Sequence, residues 1–206
     1  MHSEVLTDNG RKIFSRLSSF SGFYLAGGTA LAMQIGHRQS FDFDLFQDTE
    51  IPDNLLIKTK RVFTEFSKII PLVNNPDELT ISIENTKVTF LWYPFPVLTD
   101  FITGEHIPLL SISEIAVTKA YTIGRRGSYK DYVDLYFILK EHHASLTEII
   151  DLAKRKYQDE FNARLFLEQL TYLDDIHDTE ILFLKQPINK DQLTLFFQDV
   201  IRKFEL

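Results

Sequence analysis

The run Phe41-Asp42-Phe43-Asp44-Leu45-Phe46 alternates carboxylates with apolar side chains, a period of two that suits a strand. Strand side chains point alternately to opposite faces, so Asp42 and Asp44 share one face and Phe41, Phe43 and Leu45 the other. Two carboxylates side by side repel, and Asp is a poor strand residue. A divalent cation between them would remove both objections. The same alternation also describes a half-exposed strand with polar residues outward and no further role. Upstream, Gly27-Gly28-Thr29 reads as a tight turn entering a helix. Backbone N–H groups exposed in such a turn can hold phosphate oxygens, although a plain turn has the same composition. Arg38 either pairs with a phosphate or neutralises the two aspartates.

A chain of 206 residues, 44% hydrophobic and with 18 Phe, can bury a sizeable core as one domain or two small lobes. Its net charge of -7 argues against a surface basic all over but leaves room for a local basic groove. The absence of Cys excludes disulfides, zinc-thiolate sites and thiol catalysis. The N-terminus lacks the basic start and apolar run of a signal peptide. The most apolar stretch, residues 88–98, is too short to span a bilayer and contains Pro94 and Pro96. These features predict a cytoplasmic protein with no membrane partner.

The pattern predicts an α+β chain, with an α/β lobe over 1–105 and a helical lobe over 106–206. In the first lobe we expect a helix over 10–20, a strand over 23–26, and a helix over 30–35 with Thr29 as N-cap and Gly36 closing it. The aspartate strand follows at 41–46. A helix over about 53–70 carries Leu55, Leu56, Val62, Phe63, Phe66 and Ile69-Ile70, and a hairpin joins 80–83 to 87–92. In the second lobe, Ser111-x-x-Glu114 reads as a capping box opening a helix that ends at Gly124. Ser128-x-x-Asp131 opens the next, to about Lys140, and further helices cover 146–157, 160–173 and 190–203. A cleft between two such lobes is the natural place for a ligand.

Lys119 has Ile115, Ala116, Thr122 and Ile123 at three and four residues' distance, so no acid on its own helix pairs with it. It either snorkels from an apolar face or points into the cleft. Lys119, Arg125, Arg126 and Lys130 form a run without acids, suited to a nucleotide or RNA backbone. Cations after a helix C-terminus need no such partner. Asp131 fits helix capping, or a base or extra metal contact, and Asp134 is placed to pair with Lys130. The six His show no metal-ligand spacing, and Trp92, Tyr93 and Phe95 around Pro94 and Pro96 read either as core packing and a strand-ending turn or as a surface that stacks a base.

Three blocks in register resemble the AbiEii/AbiGii-type nucleotidyltransferases, toxins of type IV toxin–antitoxin systems within the polymerase-β-like superfamily. They are Gly27-Gly28-Thr29-Ala30-Leu31, the stretch His37 to Phe46, and the stretch Ile112 to Ala120 continuing through Arg125 to Tyr136. The resemblance implies a polymerase-β-like mixed-sheet lobe followed by a helical one. It implies NTP binding by Gly27, Gly28, Thr29, Arg38 and Ser40, and Mg²⁺ or Mn²⁺ on Asp42 and Asp44. Lys119 would contact phosphate or acceptor, and Asp131 would be a catalytic carboxylate. The reaction would move a nucleoside monophosphate from NTP to an acceptor hydroxyl, on a tRNA 3′ end or a protein, and a cognate antitoxin would be a partner. Many superfamily members place a third carboxylate on a neighbouring strand. Here Lys87-Val88-Thr89-Phe90-Leu91-Trp92 has none, which leaves Glu84 or Asp131. Two other functions remain compatible: a partner-binding module that kept the nucleotide pocket without turnover, and a phosphotransferase moving the γ-phosphate.

Overall fold

The computed structural model describes residues 1–204. They fall into two units, one of residues 1–96 and 100–110, the other of residues 97–99 and 111 onward.

The first unit is built on a mixed five-stranded sheet. Its strands are β1 (Tyr24–Ala26), β2 (Phe43–Gln47), β3 (Ile69–Asn74), β4 (Glu78–Ile83) and β5 (Thr86–Trp92), in the order β1-β2-β5-β4-β3. Only β2 and β5 run parallel. Three helices belong to this unit: α1 (Asp8–Arg16), α2 (Gly27–Ile35) and α3 (Leu55–Val62). Alternation holds along the central strands: Phe43, Leu45, Val88, Phe90, Leu79, Ile81 and Ile83 are all fully buried. Phe90 meets Phe20 at 4.8 Å and Phe23 edge-on at 5.1 Å, and Phe20 stacks on Phe63 at 5.9 Å. The abundance of Phe is thus spent on a contiguous aromatic core under the sheet, where truncating one ring costs about 3–5 kcal/mol.

Two expectations need correction here. The helix expected over 53–70 stops at Val62, and Ile69–Asn74 is an edge strand paired with β4 alone. Pro71 cannot continue a helix, but at a sheet edge its missing N–H costs nothing, and the register shifts beside it. The helix expected from Ala30 begins at Gly27 with Ala26 as N-cap, so Thr29 lies inside the first turn. Gly36 closes it in the left-handed region, φ 65°. Between β4 and β5 the two-residue turn Glu84-Asn85 has positive φ at both positions, 46° and 73°, the twist that tight hairpins prefer.

The second unit is helical: α4 (Ile112–Arg126), α5 (Tyr129–Lys140), α6 (Leu146–Tyr157), α7 (Ala163–Thr171) and α8 (Lys190–Arg202). Helix α4 packs on α5, α6 and α7. The boxes Ser128/Asp131 and Ser145/Glu148 form as their spacing requires. The Ser111 box is half made. Ser111 accepts from the Glu114 N–H, but the Glu114 carboxylate is fully buried and bonds instead to Lys156 Nζ (2.5 Å) and the Leu98 N–H (2.5 Å). Burial pushes the Lys156 ammonium below the usual lysine range, against the opposing pull of Glu114. Among the described residues no helix is long and apolar enough to cross a membrane.

Removing one member of such a pair leaves an uncompensated buried charge, whereas removing both can be nearly neutral. Glu114→Ala should therefore lower unfolding stability by about 3–5 kcal/mol. Glu114→Leu/Lys156→Met should recover most of that loss in urea titrations, less the Leu98 N–H left without an acceptor.

Candidate active site

Asp44 is the second residue of β2, paired across the ladder with Ala26 of β1 and Thr89 of β5. One residue beyond Ala26, Gly27 turns the chain at φ 65° into α2. A Cβ built on Gly27 would come within 2.3 Å of Asp44 Oδ2 and 3.1 Å of its Cγ. The carboxylate therefore lies against the backbone that opens α2, at the end of the helix where its dipole favours negative charge. Asp42 sits just before the strand with its side chain exposed, and its Oδ1 accepts from the Lys87 N–H at 3.1 Å. Asp42 precedes Phe43, which pairs with Val88, so the carboxylate faces the start of β5.

The expected nucleotide-binding residues divide into two kinds. Gly27 and Gly28 lie half-buried at the start of α2. Thr29, Arg38 and Ser40 are buried and build the frame. The Thr29 hydroxyl meets Ser40 Oγ at 2.7 Å and donates to the Asp42 carbonyl, tying the helix start to the segment entering β2. Arg38 Nη1 donates to the Gln39 carbonyl at 3.0 Å.

No carboxylate stands beside the pair on β5: Thr89 is opposite Asp44, and its hydroxyl accepts from Thr80 at 3.1 Å. Glu84 is held by Asn9 Nδ2 (3.2 Å) and by the Ser67 N–H and hydroxyl (3.3 and 3.2 Å). Among the described residues no group of three or more His, Asp or Glu is arranged to hold a metal. Two carboxylates nonetheless suit Mg²⁺, which binds through one or two carboxylates and completes its shell with phosphate oxygens and water.

In the second unit, Lys119 neither snorkels nor lacks acids. Its Nζ lies 2.6 Å from Asp131 Oδ1 and 2.8 Å from Asp134 Oδ2. The side chains of Lys119 and Asp131 are 10% and 13% exposed, and that of Asp134 is fully buried. Asp134 therefore does not serve Lys130 at the surface. Asp131 is doubly used, because its Oδ2 also accepts from the Ser128 N–H (3.0 Å) and hydroxyl (2.8 Å). Burial, with the charge of Asp131 nearby, pushes the Tyr132 hydroxyl up to about 12. Asp134 is a partner of Lys119 that its spacing from Lys130 did not suggest. The available signal was two acids three residues apart, on one face of a helix, following a lysine with no acid in reach on its own. Arg125, from the basic run, lies over the Tyr121 ring at 4.2 Å and donates to Glu160.

The family model described as "Nucleotidyl transferase AbiEii toxin, Type IV TA system" matches residues 11–108 and 73–206. The chain belongs to this family. It is an NTP-dependent nucleotidyltransferase of the AbiEii toxin type, as the three sequence blocks implied. The uncharacterized protein aq_aa25 of Aquifex aeolicus is 34% identical over 166 residues, 76% of each chain. Two solved structures share the fold at low identity. JHP933 from Helicobacter pylori matches at TM-score 0.56 with 18% identity, over 98% of this chain and 91% of that one. MenT4, the nucleotidyltransferase toxin Rv2826c of Mycobacterium tuberculosis H37Rv, matches at TM-score 0.58 with 12% identity, over 96% and 83%.

Two substitutions probe this geometry. Gly27→Ala adds a Cβ where Asp44 stands and holds a non-glycine residue at positive φ, so it should destabilise the protein by about 1 kcal/mol or more and abolish NTP binding. Gly22→Ala, also at positive φ (91°) but with nothing within 4 Å, should share the strain and keep NTP binding. Calorimetric titration with NTP separates the two. Lys119→Met should cost about 3–5 kcal/mol in urea unfolding by stranding the buried Asp134, and Lys119→Arg should restore part of it.

Proposed function

We propose that this nucleotidyltransferase uses a divalent cation, Mg²⁺ or Mn²⁺, held by Asp42 and Asp44, to transfer a nucleoside monophosphate from NTP to an acceptor hydroxyl. The close approach of the Asp44 carboxylate to Gly27 carries this reading. It sets an acid and the amide-rich start of α2 side by side, where a triphosphate can meet both. The cation supplies charge neutralisation on the α-phosphate when bound. The β- and γ-phosphates lie over Gly27 and Gly28, with Thr29, Arg38 and Ser40 holding that backbone in place. The acceptor oxygen bonds to the α-phosphorus, the bridging bond to the β-phosphate breaks, and pyrophosphate leaves. The hydroxyl proton passes to solvent water at the exposed end of the strand. From the second unit, we assign Lys119 to phosphate or acceptor contact and Asp131 as a catalytic carboxylate, following the family motif. The acceptor is a tRNA 3′ end or a protein, and a cognate antitoxin is the regulatory partner.

The test incubates the protein with Mg²⁺ or Mn²⁺, total tRNA and each NTP labelled in turn at the α- and γ-phosphate. Label from the α position on RNA or protein, absent in Asp42→Ala/Asp44→Ala, is the expected result. Label from the γ position would make the protein a phosphotransferase instead. Intact NTP binding with no transfer would favour a binding module.

A further inference from the structure

Lys87 is a charge beside the aspartates that has no role in the steps above. It is the second residue of β5, the strand that runs parallel to β2. Residues paired across a ladder share a face, so Thr89, opposite Asp44, stands on the aspartate side of the sheet. Lys87, two positions earlier, stands there too, while Val88 and Phe90 point to the other side and are fully buried. The Lys87 N–H donates to Asp42 Oδ1 at 3.1 Å, which sets the lysine level with the exposed carboxylate. Its side chain is exposed. Among the described residues that side chain makes no hydrogen bond or ion pair, although two carboxylates share its face. Its neighbours on this face are hydroxyls: Ser82 of β4 pairs with Lys87, and Thr80 with Thr89. Glu78 shares the face but stands opposite Leu91, four residues along β5, and accepts from the Thr80 hydroxyl. Beside the aspartate pair, β5 therefore offers a cation where a further carboxylate would help to hold a second metal ion.

Register also places Lys87 relative to the glycine turn. Strands β1 and β5 flank β2 on opposite sides. Antiparallel pairing of Ala26 with Asp44 brings Gly27 level with Phe43, and parallel pairing of Val88 with Phe43 brings Lys87 level with Asp42. Both lie at the same end of β2, with the aspartates between them and their backbones about 10 Å apart, two strand spacings. In-line displacement puts the attacking and leaving oxygens on opposite sides of the phosphorus. With pyrophosphate over Gly27, the β5 side is the side of attack, and that side carries Lys87. Two-metal sites stabilise both of these oxygens with bound cations. An ammonium on β5 can supply such charge without a further ligand set.

We propose that Lys87 contacts the α-phosphate on the side of attack and supplies there the positive charge that two-metal sites obtain from a second ion. The ammonium donates to a non-bridging oxygen of the α-phosphate. It neutralises charge as the acceptor oxygen bonds to the phosphorus and the bridging bond to pyrophosphate breaks. Lys87 stays protonated throughout, and the acceptor proton passes to water. This assignment rests on the nucleotidyl-transfer reading above.

The test has one arm that needs no turnover. NTP, NDP and inorganic pyrophosphate are each titrated calorimetrically into the full chain in Mg²⁺. Lys87→Met should weaken NTP and NDP binding about tenfold and leave pyrophosphate binding unchanged, and Lys87→Arg should restore most of the loss. Lys60→Met, at an exposed lysine of α3, should bind NTP as wild type does. Equal NTP affinity in wild type and Lys87→Met overturns the proposal, as does an equal loss in Lys60→Met. A loss for pyrophosphate as large as that for NTP would place Lys87 on the leaving side and overturn it too. In the second arm, α-label transfer at saturating NTP, Lys87→Met should lower kcat about a hundredfold. Transfer that is unchanged in Lys87→Met sinks the assignment while the transfer reading stands. If Lys87→Met loses NTP affinity but wild type transfers no label, the transfer reading fails and the phosphate contact stands.

Discussion

The missing side chain at residue 27 is the constraint on which the candidate site depends. Gly27 occupies a backbone conformation that other residues adopt with strain, and its Cα leaves room that the Asp44 carboxylate fills. Everything around this approach serves to hold it. The antiparallel pairing of β1 with β2 sets Ala26 opposite Asp44, so the turn after β1 must begin beside the carboxylate. Thr29 then ties the first turn of α2 to Ser40 and to the Asp42 carbonyl. The Phe-rich layer below keeps β2 immobile, because Phe43 and Leu45 point into it. A phosphate-handling surface needs this kind of rigidity, since small misplacement of reacting groups costs large factors in rate.

The second unit follows a different logic, in which charge is buried and matched inside the helical core. Glu114 and Lys156 neutralise each other without exposure, and Lys119 stands between Asp131 and Asp134. Such pairs contribute little net stability compared with apolar residues of the same shape, but leaving one member alone is costly. Their value is in orientation. The Lys119 ammonium is fixed by two carboxylates from α5, and Asp131 is fixed in turn by the capping hydrogen bonds from Ser128. A substitution at Lys119 or Asp131 therefore disturbs the fold of the unit and any chemistry it performs together, and the two effects separate only when stability is measured alongside activity.

Much of this was legible in the amino-acid order wherever the signal was local. The Gly36 stop and the Ser128 box each depend on residues a few positions apart, and each formed as expected, whereas the strand expected over 41–46 runs over Phe43–Gln47 and leaves Phe41 and Asp42 exposed just before it. Failures arose where a distant partner decided the outcome. Phe66 and Ile69-Ile70 continue a helical spacing past Phe63, but pairing with β4 claimed Ile69 and Ile70 for a strand. Glu114 had the spacing to cap its own helix, yet Lys156, forty-two residues on, took its carboxylate. Lys119 appeared to lack acids because its partners belong to the next helix. Thr29 appeared to be a cap because nothing local revealed that the helix expected from Ala30 would start three residues earlier, at Gly27 with its positive φ.

The most direct test of the account is the Mg²⁺ dependence of NTP binding, measured by calorimetry on the wild type and on Asp44→Asn, with folding of both checked by thermal unfolding. If Asp44 and the start of α2 form one metal-assisted triphosphate site, Mg²⁺ should strengthen NTP binding to the wild type by about tenfold or more, and Asp44→Asn should lose that increment while remaining folded. An Asp44→Asn variant that keeps the full Mg²⁺ effect would contradict the account and separate the glycine turn from the aspartates.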